Sequence, residues 1–205
     1  MNKLEYILNR IKNINNIQIL ELGVRNGNST KLFIEICDRN LGNLMSVDIN
    51  DCSKVISNKR WKFIKSSDDN FELINSNINQ DLDVIFIDSL HEPDHVKKVF
   101  YNYYNKLKIN GLCFIDDISW LPYAKDSYRD NDYVERINRL TFDKILEIKF
   151  ANKDNFILEF LFVESGLAII KKKKINLLEE PKKIYNRIFS FKNLLKKIYS
   201  PRPKS

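Results

Sequence analysis

A chain of 205 residues, 43% hydrophobic and 30% charged, has the length of one domain and enough apolar material to bury a core without disulfide or metal staples. It is too apolar for disorder, and its five Gly and five Pro exclude collagen-like and proline-rich chains. The net charge of +7 belongs to one end: residues 171–205 hold twelve basic and two acidic side chains, leaving 22 basic against 25 acidic in 1–170, which speaks against a nucleic-acid-binding body. Cys37, Cys52 and Cys113 are too scattered for a disulfide framework or zinc knuckle and read as reduced thiols of a cytoplasmic protein. The opening MNKLEYILNR has no leader-like apolar region, and no apolar run is long enough to predict a membrane span.

In chain order, KLEYILNRIKNI (3–14) has apolar positions at helical spacing, and 1–15 is expected to form an N-terminal helix. IQILEL (17–22) reads as a buried strand, followed by a glycine-containing turn and the helix STKLFIEICDRN. LMSVDI (44–49) and WKFI (61–64) are strands, and FELINSNI (71–78) is helical. DLDVIFID (81–88) is the strongest strand pattern, PDHVKKVFYNYYNKL (93–107) the strongest helix, and GLCFIDD (111–117) a further strand. Such alternation predicts a parallel sheet with helices on both faces. YVERINRL (133–140) then reads as a helix, and KILEIKF, NFILEFLF and GLAIIKKK follow with no helix between them. The turn residues Glu164-Ser165-Gly166 predict an antiparallel hairpin at the end of the sheet.

The run Glu21-Leu22-Gly23-Val24-Arg25-Asn26-Gly27-Asn28-Ser29-Thr30 lies between a strand and a helix. Glycines there permit unusual φ and close approach of a ligand, and ligands of open α/β sheets bind at the carboxyl ends of strands. The G-x-x-x-G spacing is neither the dinucleotide fingerprint nor a P-loop. Asp48 closes the second strand, where a carboxylate can accept hydrogen bonds from a ribose diol. E-x-G-x-x-x-G-x-S/T followed by that acid resembles the class I S-adenosylmethionine-dependent methyltransferases over roughly residues 15–173. The resemblance implies a Rossmann-like, doubly wound α/β fold: a mostly parallel seven-stranded sheet ending in an antiparallel hairpin. It implies that Glu21, Gly23, Asn26, Gly27 and Ser29 wrap the methionine part of S-adenosylmethionine. Asp48 would hold the ribose, Ser67 and Asp68 would lie near the adenine, and Asp88 would border the cofactor.

Asp88 ends the fourth strand, and Asp116 and Asp117 end the fifth, so three carboxylates converge at neighbouring strand ends. Uncompensated, they repel; a hard divalent cation, Mg²⁺ or Mn²⁺, would resolve the repulsion. FIDSLH and FIDDISW resemble the metal-dependent O-methyltransferases of catechol, caffeoyl-coenzyme A and macrolide-sugar type. That resemblance implies metal ligation by Asp88, Asp116 and Asp117. It also implies a base three residues after Asp88, which is His91 and favours the sugar-type branch. A metal-bound hydroxyl loses its proton more readily, and an imidazole can accept it near neutral pH. The expected acceptor is a hydroxylated small molecule such as a sugar. A metal-free methyltransferase acting on nucleic acid, and a binding module acting through its basic tail, are the alternative readings.

The string His91-Glu92-Pro93-Asp94-His95 matches the zinc-protease pattern H-E-x-x-H, but Pro93 inside a helix costs roughly 3 kcal/mol and is welcome at its first position. The helix is expected to start there, with His91 before it and His95 an ordinary first-turn residue. The aromatic stretch Trp120–Arg129 is assigned to acceptor binding. The domain is expected to span 1–175, and 176–205 to form a basic tail. Within it Ile184, Ile188, Phe191, Leu195 and Ile198 form one helical stripe flanked by lysines, suited to the protein's own core, a homodimer seam, an anionic membrane surface or nucleic acid.

Overall fold

The computed structural model describes residues 2–121 and 132–185. Helix α1 (Lys3–Ile11) opens the chain, and β1 (Gln18–Leu22) leads into α2 (Asn28–Asn40). The sheet continues through β2 (Asn43–Asp48), β3 (Trp61–Lys65), β4 (Leu82–Ile87) and β5 (Leu107–Asp116), with α3 (Phe71–Asn77) and α4 (Pro93–Tyr104) between. After α5 (Asp132–Ala151) come β6 (Phe156–Leu161) and β7 (Leu167–Lys172).

The seven strands lie in the order β3-β2-β1-β4-β5-β7-β6. Strands β1 to β5 pair parallel, and β7 pairs antiparallel with both β5 and β6. The expected Rossmann-like architecture with its terminal hairpin is therefore the fold of this chain. The sheet alternates its faces at period two. Leu20, Leu22, Met45, Val47, Ile85, Ile87, Cys113 and Ile115 point to the α3–α4–α5 side. Ile19, Leu44, Val84, Phe86, Leu112 and Phe114 point to the α1–α2 side. All three cysteines are buried and free.

Two segments differ from expectation. KILEIKF (144–150) is the second half of α5, not a strand. Ile145 and Ile148 are buried three residues apart, with Thr141 buried one turn before Ile145, so one helical stripe faces the core. The described part of the tail, 173–185, has no helix and packs on α4 and α5. The Asn152 side chain donates to the Glu179 carbonyl and accepts from the Glu179 N–H, Tyr101 donates to the same carbonyl, and Lys182 N–H donates to Glu147 O. The body's contacts thus run past residue 175. The remainder of the expected tail helix, with Ile188, Phe191, Leu195 and Ile198, lies outside the described residues. No helix among the described residues is long and apolar enough to cross a membrane.

Candidate active site

The turn after β1 is built by its own backbone and by one acid. Gly23 has φ +97°, and a Cβ there would stand 2.1 Å from the Asp88 carbonyl oxygen, so only glycine lets the ends of β1 and β4 close. Gly27 has φ +73° and packs against Val55 in the same way. The two glycines therefore serve the protein's own packing, and Gly23 also lines the cavity beside Asp48. Glu21 is fully buried and accepts from Ser29 (2.6 Å), Thr30 (2.8 Å) and Ser46 (2.6 Å). Burial pushes its carboxyl above the ordinary range, against the pull of the three hydroxyls. It ties β1, β2 and the start of α2 together behind the turn.

Asp48 sits in front. One carboxylate oxygen accepts from the N–H groups of Val24 (2.9 Å) and Arg25 (3.0 Å), the other from Asn50 N–H (2.8 Å). A cavity of about 480 Å³ opens beside it, lined by Gly23, Asp48, Ser67, Asp68, Asp88 and His95 among others. Asp68 is buried, and its carboxylate is clamped by His95 Nε2 (2.9 and 3.1 Å) and Ser89 Oγ (2.5 Å). Tyr103 donates to the Asp68 carbonyl (2.8 Å). His95, read from sequence as an ordinary first-turn residue, thus shapes one wall. Helix α4 starts at Pro93, which puts His95 on its first turn, and the fold brings that turn against the loop after β3.

Asn26 and Ser29 line a second cavity of about 240 Å³ with Lys3, Ile7, Asp116 and Glu164; Arg25 and Asp88 border both cavities. The predicted cofactor residues therefore divide. Gly23, Asp48, Ser67, Asp68 and Asp88 share one cavity, Asn26 and Ser29 lie on the other, and Glu21 and Gly27 lie behind the turn.

The three carboxylates converge as expected. Asp88 is raised well above the ordinary carboxylate range by removal from water, reinforced by Asp116 and Asp117 and opposed by Lys3. His91 Nε2 lies 3.7 Å from Asp88 and 3.5 Å from Asp117, and its Nδ1 is buried without a partner. Thr141 of α5 donates to the His91 carbonyl (2.6 Å), and Asn138 to the Ser119 carbonyl (3.0 Å), so one helix holds both loops of the site. His91 and His95 face different acids, unlike a zinc-protease pair. Asp116 is bonded to the Lys3 ammonium, to Ser165 Oγ (3.2 Å) and to Asp117 N–H (2.6 Å). Among the described residues, no three His, Cys, Asp or Glu side chains are grouped so as to hold a metal ion. The donor chemistry suits Mg²⁺; the arrangement, with Lys3 on Asp116, does not. Trp120 packs edge-on against Phe142 (6.0 Å) beneath Arg139; residues 122–129 of the expected acceptor loop lie outside the described residues.

Residues 20–118 match a family model described as a methyltransferase domain. A Staphylococcus aureus protein assigned as a caffeoyl-CoA O-methyltransferase has a similar structure (TM-score 0.62, 24% identity, 82% of each chain). So has SAH-bound PaMTH1 of Podospora anserina (TM-score 0.65, 16% identity, 84% of this chain and 78% of that one). MycE of the mycinamycin biosynthetic pathway, in complex with Mg, SAH and mycinamycin VI, gives a TM-score of 0.60 at 21% identity; the match spans 84% of this chain but about half (49%) of MycE. No curated protein sequence matches the chain. The motif at β1, the order of the seven strands and the match of residues 20–118 to a methyltransferase domain model agree with one another.

Proposed function

We propose that the protein transfers the methyl group of S-adenosylmethionine to a hydroxyl of a small molecule, with sugars the first acceptors to test, and that His91 receives the hydroxyl proton. The observation that carries the reading is the imidazole of His91, set beside Asp117 and beside Asp88, which itself lines the cavity that Asp48 lines.

S-adenosylmethionine supplies a sulfonium methyl, which an oxygen nucleophile can attack in line. The chain's residues bind and orient. Asp48 lines the cavity, where its carboxylate would accept from a ribose hydroxyl. Asp68, immobilised by His95 and Ser89, bounds the same cavity further along. His91 Nε2 takes the acceptor's proton as the oxygen–methyl bond forms and the methyl–sulfur bond breaks. Holding both reactants in one geometry supplies much of the remaining acceleration.

A divalent ion on Asp88, Asp116 and Asp117 remains part of this reading only by displacing Lys3 from Asp116, and no step above is routed through it. The test is transfer of labelled methyl to a panel of glycosides and phenols. His91→Ala is expected to lower kcat about 10²- to 10⁴-fold while the Kd for S-adenosylmethionine, by calorimetry, is unchanged. Full activity in His91→Ala would remove the base from the mechanism.

A further inference from the structure

The acidic cluster already contains a cation. Lys3, in the first turn of α1, puts its ammonium on Asp116 and Ser165 and 3.8 Å from Asp117. Its side chain is only 11% exposed. A lysine in the first helical turn works against the helix dipole, so this one needs acids in front of it. It has them: Asp116 and Asp117, with Glu164 accepting from its backbone N–H (3.3 Å). The helix cannot easily swing away. Ile7 and Ile11 are fully buried against the sheet, and Arg10 bonds Glu159 at 2.7 Å. Asp116 Oδ1, with Lys3, Ser165 and the Asp117 amide as donors, has no lone pair left for another ligand.

We propose that Lys3 is the resident cation of this cluster, compensating Asp116 and Asp117 where a divalent ion would otherwise be required. Lys3 is a positioning residue: it holds Asp116 and stands beside Asp117, one of the two carboxylates near His91. The inference rests on the reading of these strand ends as the reaction site, but its test does not depend on turnover. Removing the ammonium takes the cation from Asp116 and from beside Asp117, next to Asp88, and carboxylates so grouped attract cations.

Mn²⁺ is titrated, by the paramagnetic resonance signal of the free ion, into the full-length wild type, Lys3→Gln, Lys3→Arg and Lys3→Gln/Asp116→Asn. Wild type and Lys3→Arg are expected to bind no tighter than millimolar. Lys3→Gln is expected to bind about tenfold or more tightly, and the double variant to lose the gain. Micromolar Mn²⁺ binding by the wild type, lost in Asp116→Asn, would overturn the proposal. So would a folded Lys3→Gln with unchanged affinity. If Lys3→Gln does not fold, the wild-type titration decides alone: saturation at micromolar Mn²⁺ overturns, and none through the millimolar range upholds. S-adenosylmethionine binding is measured on the same wild-type sample; its absence would sink the methyltransferase reading and leave the Mn²⁺ result standing.

Discussion

Asp48 accepts three backbone N–H bonds, and its titration reports them. Partial burial acts to raise its pKa, but the amides of Arg25, Val24 and Asn50 outweigh burial and hold the carboxyl below its ordinary 3.8. A depressed folded-state pKa means stability that is fully present above 3.8 and lost as pH falls through the folded value. Asp48→Asn is therefore expected to melt lower than wild type at neutral pH, and the gap to close below about pH 3.8, by calorimetric scans across pH. At Gly23 the constraint is steric. Alanine would carry a Cβ into the Asp88 carbonyl at a φ that L-residues avoid. Gly23→Ala should cost at least about 2 kcal/mol in denaturant unfolding and weaken S-adenosylmethionine binding with it. The glycine was legible in the sequence as a turn residue. That the end of β4 stands against it was not, because the approach joins positions far apart in the chain.

Helix α5 shows how one element can serve a site it does not enter. Its buried Thr141 and Asn138 hold the carbonyls of His91 and Ser119, on the loops after β4 and β5. Thr141→Val keeps the shape and removes one bond. Its expected signature is a several-fold lower kcat with little change in S-adenosylmethionine Kd, roughly what a loss of about 1 kcal/mol at the His91 loop implies. Rate and binding measured on the same preparation check it. The second half of this helix was misread because KILEIKF is short, apolar and β-branched in part, and a seven-residue window fits either period. The strands β1, β2, β4 and β5, by contrast, were legible from continuous apolar runs bounded by turn residues. So were Asp48, Asp88, Asp116 and Asp117, because a parallel sheet sets its strand ends side by side. Lys3 and His95 were not. Each meets its acid through tertiary packing, Lys3 across 113 residues and His95 across 27.

On the scale of the molecule, the sheet and its helices form a frame that reaches to about residue 184, where Ile184 N–H meets the Glu147 carboxylate. A chain of residues 1–185 is accordingly expected to keep the wild-type melting temperature and S-adenosylmethionine affinity. Loss of either would mean that 186–205 belongs to the body. The same frame joins distant parts of the sequence. Helix α1 is tied to the β6–β7 hairpin by the Lys3–Glu164, Lys3–Ser165 and Arg10–Glu159 bonds, spanning 161, 162 and 149 residues. Contacts of such separation close late, after the entropy of a long loop has been overcome. In a chain emerging from the ribosome, Asp48 and the glycine turn can assemble while β6 and β7 are still unsynthesised. Lys3 cannot meet Glu164 or Ser165, nor Arg10 meet Glu159, until the hairpin arrives, so in a nascent chain the cavity beside Asp48 forms before α1 is tied down.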